Sequence, residues 1–415
     1  MALIKKTAFV LSTMLLALLL GLVVFEVLAI AVLTLRDGHY VSARELLRRE
    51  EGTFIGDVTR GGGQCQYVDT MFPHPYLAFV HHANPPCGNA GINNIGLFGS
   101  DYPSEKRPDR FVILVTGGSV AAQFGQIYPG GPRFLEEVLN TSYVSPTGQP
   151  FLVLNGGDGA WKQPQQAILF LLYSDAVDAV VTLDGYNEHY YTSGSVALRF
   201  EYPAANFMMV NPLADNRYDV VASRWLVGRL VGYLSRNRLL SRSHGAVMIV
   251  RVLRSAAERL STSGADRKTT LNSIFALPPE WDQRKRTEWS LGQYKKYIRA
   301  MDVLAADRKV FAAFFIQPCP AIGKRLTPEE RAVVGDLSYG ASYARMTESL
   351  LSLRHDGVKI FSLLELFHDV DHTLYEDHAH MKKDAHGESE GYRRMAIEIA
   401  RIIAAEWGLK QRARS

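Results

Sequence analysis

Four short segments of this chain set a polar or ionisable side chain among glycines, in a pattern that suits acyl transfer. Gly117-Gly118-Ser119 closes an apolar run, and a serine at such a turn is exposed with its own N–H aimed at a bound oxyanion. Asn155-Gly156-Gly157-Asp158-Gly159 closes a second run, where backbone N–H groups can approach a ligand closely. Asp184-Gly185-Tyr186-Asn187-Glu188 closes a third and offers the Asn187 amide as a donor to the same oxyanion. Near the C-terminus, Tyr375-Glu376-Asp377-His378-Ala379-His380 supplies a base, His380, with the Asp377 carboxylate three residues before it. A hydroxyl, a base, a carboxylate that orients the base, and N–H donors are the parts of nucleophilic acyl transfer. Each segment alone says little, because Gly-Gly-Ser is also an ordinary loop.

The elements that must position these groups follow from hydrophobic periodicity. FVILVT (Phe111–Thr116), FLVLN (Phe151–Asn155), AVVTLD (Ala179–Asp184) and VFAAFFI (Val310–Ile316) are short apolar runs, as expected of strands buried on both faces. VKIF (Val358–Phe361) is a weaker fifth. Helical patterns alternate with them: one starts at Pro132, one covers Gln163–Ser174, and one runs from Glu390 to Trp407 with Met395, Ile399, Ile402, Ile403 and Trp407 near one face. That alternation predicts a three-layer α/β/α domain with a parallel, flavodoxin-like sheet and reactive groups at the strand C-termini. The expected organisation is an N-terminal membrane anchor (1–36), a connector or cap (37–108), a first half of the core (109–190), a helical insertion (191–305) and a second half (306–415).

In combination and in this order, the four segments resemble the blocks of the SGNH (GDSL-type) hydrolase family. VTGGSVA is similar to the first block, with Gly118 where many members carry Asp, and VLNGGDG to the second, which puts Gly157 at the oxyanion glycine. LDGYNEH is similar to the third, with Asn187 kept and Glu188 in place of Asp, and YEDHAHM to the last, D-x-x-H. The resemblance covers Phe111–Glu188 and Val310 to about Trp407. It implies a catalytic triad of Ser119, His380 and Asp377, an oxyanion hole from Ser119, Gly157 and Asn187, and no cofactor. The implied activity is ester hydrolysis or O-acyl (acetyl) transfer on a cell-envelope glycan or lipid. His386 is the other candidate base: its distance to Gly391 suits the family better, but Lys383 stands where an Asp would be needed.

Two rival readings use the same residues. A catalytically silent SGNH-fold scaffold in a membrane complex is one, since fold does not guarantee activity. The other is a metal site built from His368, His372, His378, His380 and His386 among nearby carboxylates. No metal-binding spacing such as HExxH is present, and none is expected here.

Composition narrows the setting. With 47% hydrophobic and 21% charged residues the chain is globular, and a net charge of +4 over 415 residues gives no ground for a nucleic-acid partner. From Ala8 to Leu35 it is almost wholly apolar, on the order of 40 Å as a helix and too long for a cleaved leader, so a single-pass anchor in the lipid bilayer is expected. Lys5 and Lys6 precede it and Arg36, Arg44, Arg48 and Arg49 follow, so positive-inside counting does not favour an exported C-terminus. Cys65 and Cys87, in Gly/Pro-rich surroundings, would make a disulfide in an oxidising compartment, which favours an extracytoplasmic, periplasmic catalytic domain; two unpaired thiols are the alternative. Glu26 within the span is costly and points by default to a function or a partner, but the preferred reading is a protonated Glu near the interface or facing another helix. The Arg-rich stretch Arg224–Arg242 is read as an ordinary surface helix packed on the domain, with a membrane-surface helix as the alternative.

Overall fold

The computed structural model describes residues 2–52, 70–82, 91–127, 130–203, 207, 226–227, 229–234, 236–262 and 270–412. Cys65, Cys87, Arg224 and Trp225 lie outside them, so the expected disulfide is not addressed. The chain divides into two compact units, one of 1–57, 66–68 and 212–270, the other of 58–65, 69–211 and 271–415.

The larger unit is built on a five-stranded parallel sheet. Its strands are β1 (Phe111–Gly117), β2 (Phe151–Gly157), β3 (Ala179–Asp184), β4 (Phe311–Ile316) and β5 (Ile360–Ser362), in spatial order β2-β1-β3-β4-β5. That is the flavodoxin-like order, in which the strand sequence reverses beside β1. Every residue of β1 and β3 is buried, which explains why these strands read as continuous apolar runs rather than alternating ones. Register brings Gly117 beside Gly157 on one side and Leu183 on the other, so the ends of β1, β2 and β3 open onto one place.

Helices cover the sheet. In this unit they are α3 (Ser119–Phe124), α4 (Phe134–Ser142), α5 (Gln165–Tyr173), α6 (Tyr186–Thr192), α8 (Gln283–Arg308), α9 (Pro328–Val333), α10 (Gly340–Leu351) and α11 (Glu390–Trp407). The last helix turns Met395, Ile399 and Ile403 into the core against α4 and the sheet. Opposite, α8 buries Tyr294, Ile298, Met301 and Ala305 against α5, α6 and β4. Its i, i+4, i+7 stripe is that of a core-covering helix. So 283–305, expected inside the insertion, is part of a helix that covers the sheet.

The smaller unit holds α1 (Ala2–Asp37), α2 (Ala43–Gly52) and α7 (His244–Thr262). Ser12–Asp37 of α1 is long and apolar enough to cross a membrane. Leu33, Val41, Leu46, Leu47, Val231, Leu234, Val247 and Val250 form its own small core.

Candidate active site

Ser119 is the first residue of α3, directly after β1. The two glycines before it are demanded by close approach. A Cβ on Gly117 would run into the Leu183 carbonyl and Ala121, and one on Gly118 into the Asn187 amide and the Trp161 carbonyl. Gly118 stands where many members of the resembled family carry Asp, and the Asn187 side chain lies in the space a side chain there would take. The N–H of Ser119 is among those a helix start leaves without an intrahelical acceptor.

His380 Nε2 lies 2.8 Å from Ser119 Oγ, and His380 Nδ1 lies 2.7 Å from Asp377 Oδ2. Three side chains from two places 261 residues apart thus form one hydrogen-bonded line. The other Asp377 oxygen accepts the N–H groups of Ala379 and His380, both at 2.8 Å, so the carboxylate also shapes the turn that carries the imidazole. Partial burial works to raise the Asp377 pKa, but the His380 ring and these two N–H donors hold it well below the usual carboxylate range. With His380 Nδ1 engaged by a carboxylate, Nε2 is the nitrogen that faces the serine. His386 takes no part in that line; its N–H bonds to Asp384 Oδ1 at 2.8 Å.

The loop carrying Asp377 and His380 is pinned by a group that sequence reading passed over. Buried Glu330, in α9, accepts the N–H of Leu374 at 2.8 Å and of Tyr375 at 3.0 Å, and pairs with buried Lys324 at 2.8 Å. It also closes the capping box of its own helix with Thr327, so TPEE was a readable signal for the helix but not for the loop. Burial favours the neutral acid, yet the Lys324 bond and the backbone donors outweigh it, and the Glu330 pKa is lowered from 4.5. A depressed carboxylate contributes stability above its unfolded pKa and loses it as pH falls through the folded value. Glu330→Gln is therefore expected to flatten the loss of stability on acidification below about pH 4.5. Glu330→Ala, which strands buried Lys324, is expected to cost about 3–5 kcal/mol at pH 7. Urea unfolding across pH reads both.

The remaining donors differ from one another. Asn187 donates through Nδ2 to the Trp161 carbonyl at 2.7 Å, which fixes the amide plane and leaves its second N–H for a ligand. Gly157 departs from the expected role. Its N–H already donates to Asn155 Oδ1 at 3.1 Å, so it is not a free oxyanion donor. What requires glycine there is packing, because a Cβ would meet the Ala122 N–H. Asn155 itself ties this loop to α3 through the Ala122 carbonyl at 2.9 Å. Two residues after Asp158 the chain takes a left-handed conformation at Ala160, with φ of 61°. A non-glycine held there carries strain of about 1–2 kcal/mol.

Behind these groups, Glu188 is buried and accepts the N–H of Gly185 at 2.8 Å and of Gln163 at 3.0 Å. It ties the loop after β2 to the loop after β3, which is the reason an acid is needed beside Asn187. Asp158 is held from outside the sheet: His81 Nε2 reaches it at 3.2 Å and Thr70 Oγ1 meets His81 Nδ1 at 2.6 Å. Thus the antiparallel hairpin Met71–His81, from the region expected to be a cap, braces the second loop. On the open side, Tyr186 lies 5.6 Å from His378 and 5.7 Å from Tyr339, giving aromatic faces beside His380. Of the other histidines, His372 pairs with Glu390 at 2.8 Å and His368 meets the Glu365 carbonyl at 2.9 Å. Among the described residues, no three His, Cys, Asp or Glu side chains converge as a metal would require.

No protein-family model matches the chain, and no curated protein matches it. Among solved structures, the chain is similar to a protein described as an acylhydrolase from Bacteroides fragilis NCTC 9343, at 10% identity and a TM-score of 0.32, over 73% of this chain and 90% of that one. It is likewise similar to a GDSL-like lipase from Bacteroides thetaiotaomicron VPI-5482, at 9% identity and a TM-score of 0.32, over 72% and 89%.

Proposed function

We propose that the chain is a membrane-anchored, SGNH-type serine ester hydrolase or O-acyl transferase, and that Ser119 is its nucleophile. The observation that carries this reading is the line from Ser119 Oγ to His380 at 2.8 Å and on to Asp377 at 2.7 Å. A hydroxyl, an imidazole and a carboxylate in that order, at those lengths, are what general-base activation of a serine needs.

In the proposed reaction His380 Nε2 takes the Ser119 proton as Oγ attacks the ester carbonyl. The tetrahedral oxyanion is held by the Ser119 N–H and the Asn187 amide. His380 then returns the proton to the leaving alkoxide, and an acyl-Ser119 ester remains. Water, or the hydroxyl of an acceptor sugar or lipid, attacks that ester with His380 again as base, which restores the serine. Asp377 stays ionised throughout and stabilises the imidazolium. The proposed substrate is an O-acyl, often acetyl, ester of a cell-envelope glycan or lipid; the Tyr186, Tyr339 and His378 faces suit a sugar ring or an acyl chain. On this reading α1 stays as a single-pass anchor and the catalytic unit is extracytoplasmic.

A fluorophosphonate should modify Ser119 in the folded chain and leave Ser119→Ala unlabelled; absence of labelling in the folded wild type would count against a serine enzyme. Asn187→Ala should lower kcat for a p-nitrophenyl ester by about 10²–10³ with KM little changed, because the lost donor serves the transition state.

A further inference from the structure

Beyond the catalytic unit, the anchor-bearing unit shows where the bilayer ends. This rests on the reading of α1 as a retained span. From Ala8 to Leu35 the apolar run is longer than a hydrocarbon core of about 30 Å needs, but the part from Ala8 to Phe25 gives roughly 27 Å. The helix changes character at Glu26. Every described residue from Phe9 to Phe25 is exposed on all sides, whereas Ala29 and Leu33 beyond it are buried in the unit's own core. Glu26 itself accepts the Ser243 hydroxyl at 2.6 Å and the N–H groups of His244 and Gly245 at 2.6 and 3.0 Å, at the first turn of α7.

The turn that leads into that contact is basic and exposed. Arg236, Arg238 and Arg242 all project to the surface, with Leu239 at 78% exposure among them. Arg44 of α2 joins them, its Nε 3.4 Å from Ser241 Oγ. At the opposite end of the apolar stretch stand Lys5 and Lys6. Glu26 is occupied by its three donors.

We propose that the hydrocarbon spans Ala8–Phe25 and that Arg236, Arg238, Arg242 and Arg44 form a collar that binds anionic phospholipid headgroups at the level of Glu26. Exposed Val27, Leu28 and Val32 on the far face of α1 would suit a deeper bilayer. That placement would sink the arginine turn by roughly 14 Å into hydrocarbon, where guanidinium groups are costliest. At the headgroup level the same arginines meet phosphate in bidentate geometry, while Leu239 dips into the acyl boundary.

The test uses the full chain in a neutral detergent, mixed with equal phosphatidylglycerol and phosphatidylcholine, with bound lipid read by native mass spectrometry. The wild type should retain phosphatidylglycerol over phosphatidylcholine by about tenfold. The triple change R236Q/R238Q/R242Q should bring that ratio near one, while R236K/R238K/R242K and a control of R325Q/R345Q/R401Q should keep it. Equal retention in the wild type, or a preference unchanged in the Gln triple, overturns the proposal. A carbonate wash of membranes tests the anchor separately: release of the wild-type chain defeats the span and the collar with it, whereas retention without a lipid preference defeats the collar alone.

Discussion

Ser119→Ala is expected to lower kcat for ester hydrolysis by about 10⁶, with the thermal midpoint nearly unchanged. The size follows from what is removed. On the proposed mechanism the hydroxyl is the atom that forms the acyl-enzyme, and without it His380 has nothing to deprotonate in the attacking position. Some rate should survive, about 10³-fold over water, because the Asn187 and backbone donors still hold an oxyanion. Little stability is at stake. Ser119 is only half-buried, and its hydroxyl makes one bond, to an imidazole that Asp377 keeps in place. Steady-state kinetics on a p-nitrophenyl ester, with thermal unfolding alongside, check both halves of the expectation.

Asp377→Asn is expected to lower kcat by about 10⁴. An amide that turns its NH2 toward His380 Nδ1 favours the tautomer with the proton on Nε2, which can no longer act as base toward Ser119. The oxygen facing the Ala379 and His380 N–H groups remains, so the turn itself should hold. The charge also matters for pH. Since the Asp377 carboxyl is held well below its usual range, it stays ionised over the working range, and the acid limb of kcat/KM should fall with a slope of one proton. In Asp377→Asn the plateau should be lower, while His380→Ala should abolish the limb along with nearly all the rate. His386→Ala should leave both plateau and limb intact, since the ring within reach of Ser119 Oγ is that of His380.

Much of this arrangement was legible in the residues. Strands buried on both faces announce themselves as unbroken apolar runs, so β1, β2, β3 and β4 were readable to within a residue or two, and so was their parallel pairing. The segments that end those strands, and the D-x-x-H near the C-terminus, were readable because glycine and carboxylate spacing is local information. What was not readable is what depends on contacts between distant segments. Nothing in the sequence around Gly157 says that Asn155 Oδ1 takes its N–H, since that follows from how the loop closes. Ala160 offers no composition signal, because an alanine in a left-handed conformation looks like any alanine. Helix α8 has the same periodicity whether it covers the sheet or belongs to an insertion; only Tyr294 and Met301 meeting the core decides. Glu330 belongs to a capping box whose spacing is local, yet its hold on Leu374 and Tyr375 spans 44 and 45 residues. Glu26 was marked by its cost within an apolar helix, and its partners, the first turn of α7, lie more than 200 residues away.

The central claim is that Ser119 carries the acyl group. Mixing the full chain with excess p-nitrophenyl acetate, quenching in acid within the first turnover and mapping peptides by mass spectrometry tests it directly. One acetyl group on the peptide that contains Ser119, absent in Ser119→Ala and accumulating as a burst of p-nitrophenol, is the expected result. Turnover with no acetyl on that peptide, or an acetyl group that persists in Ser119→Ala, would contradict it.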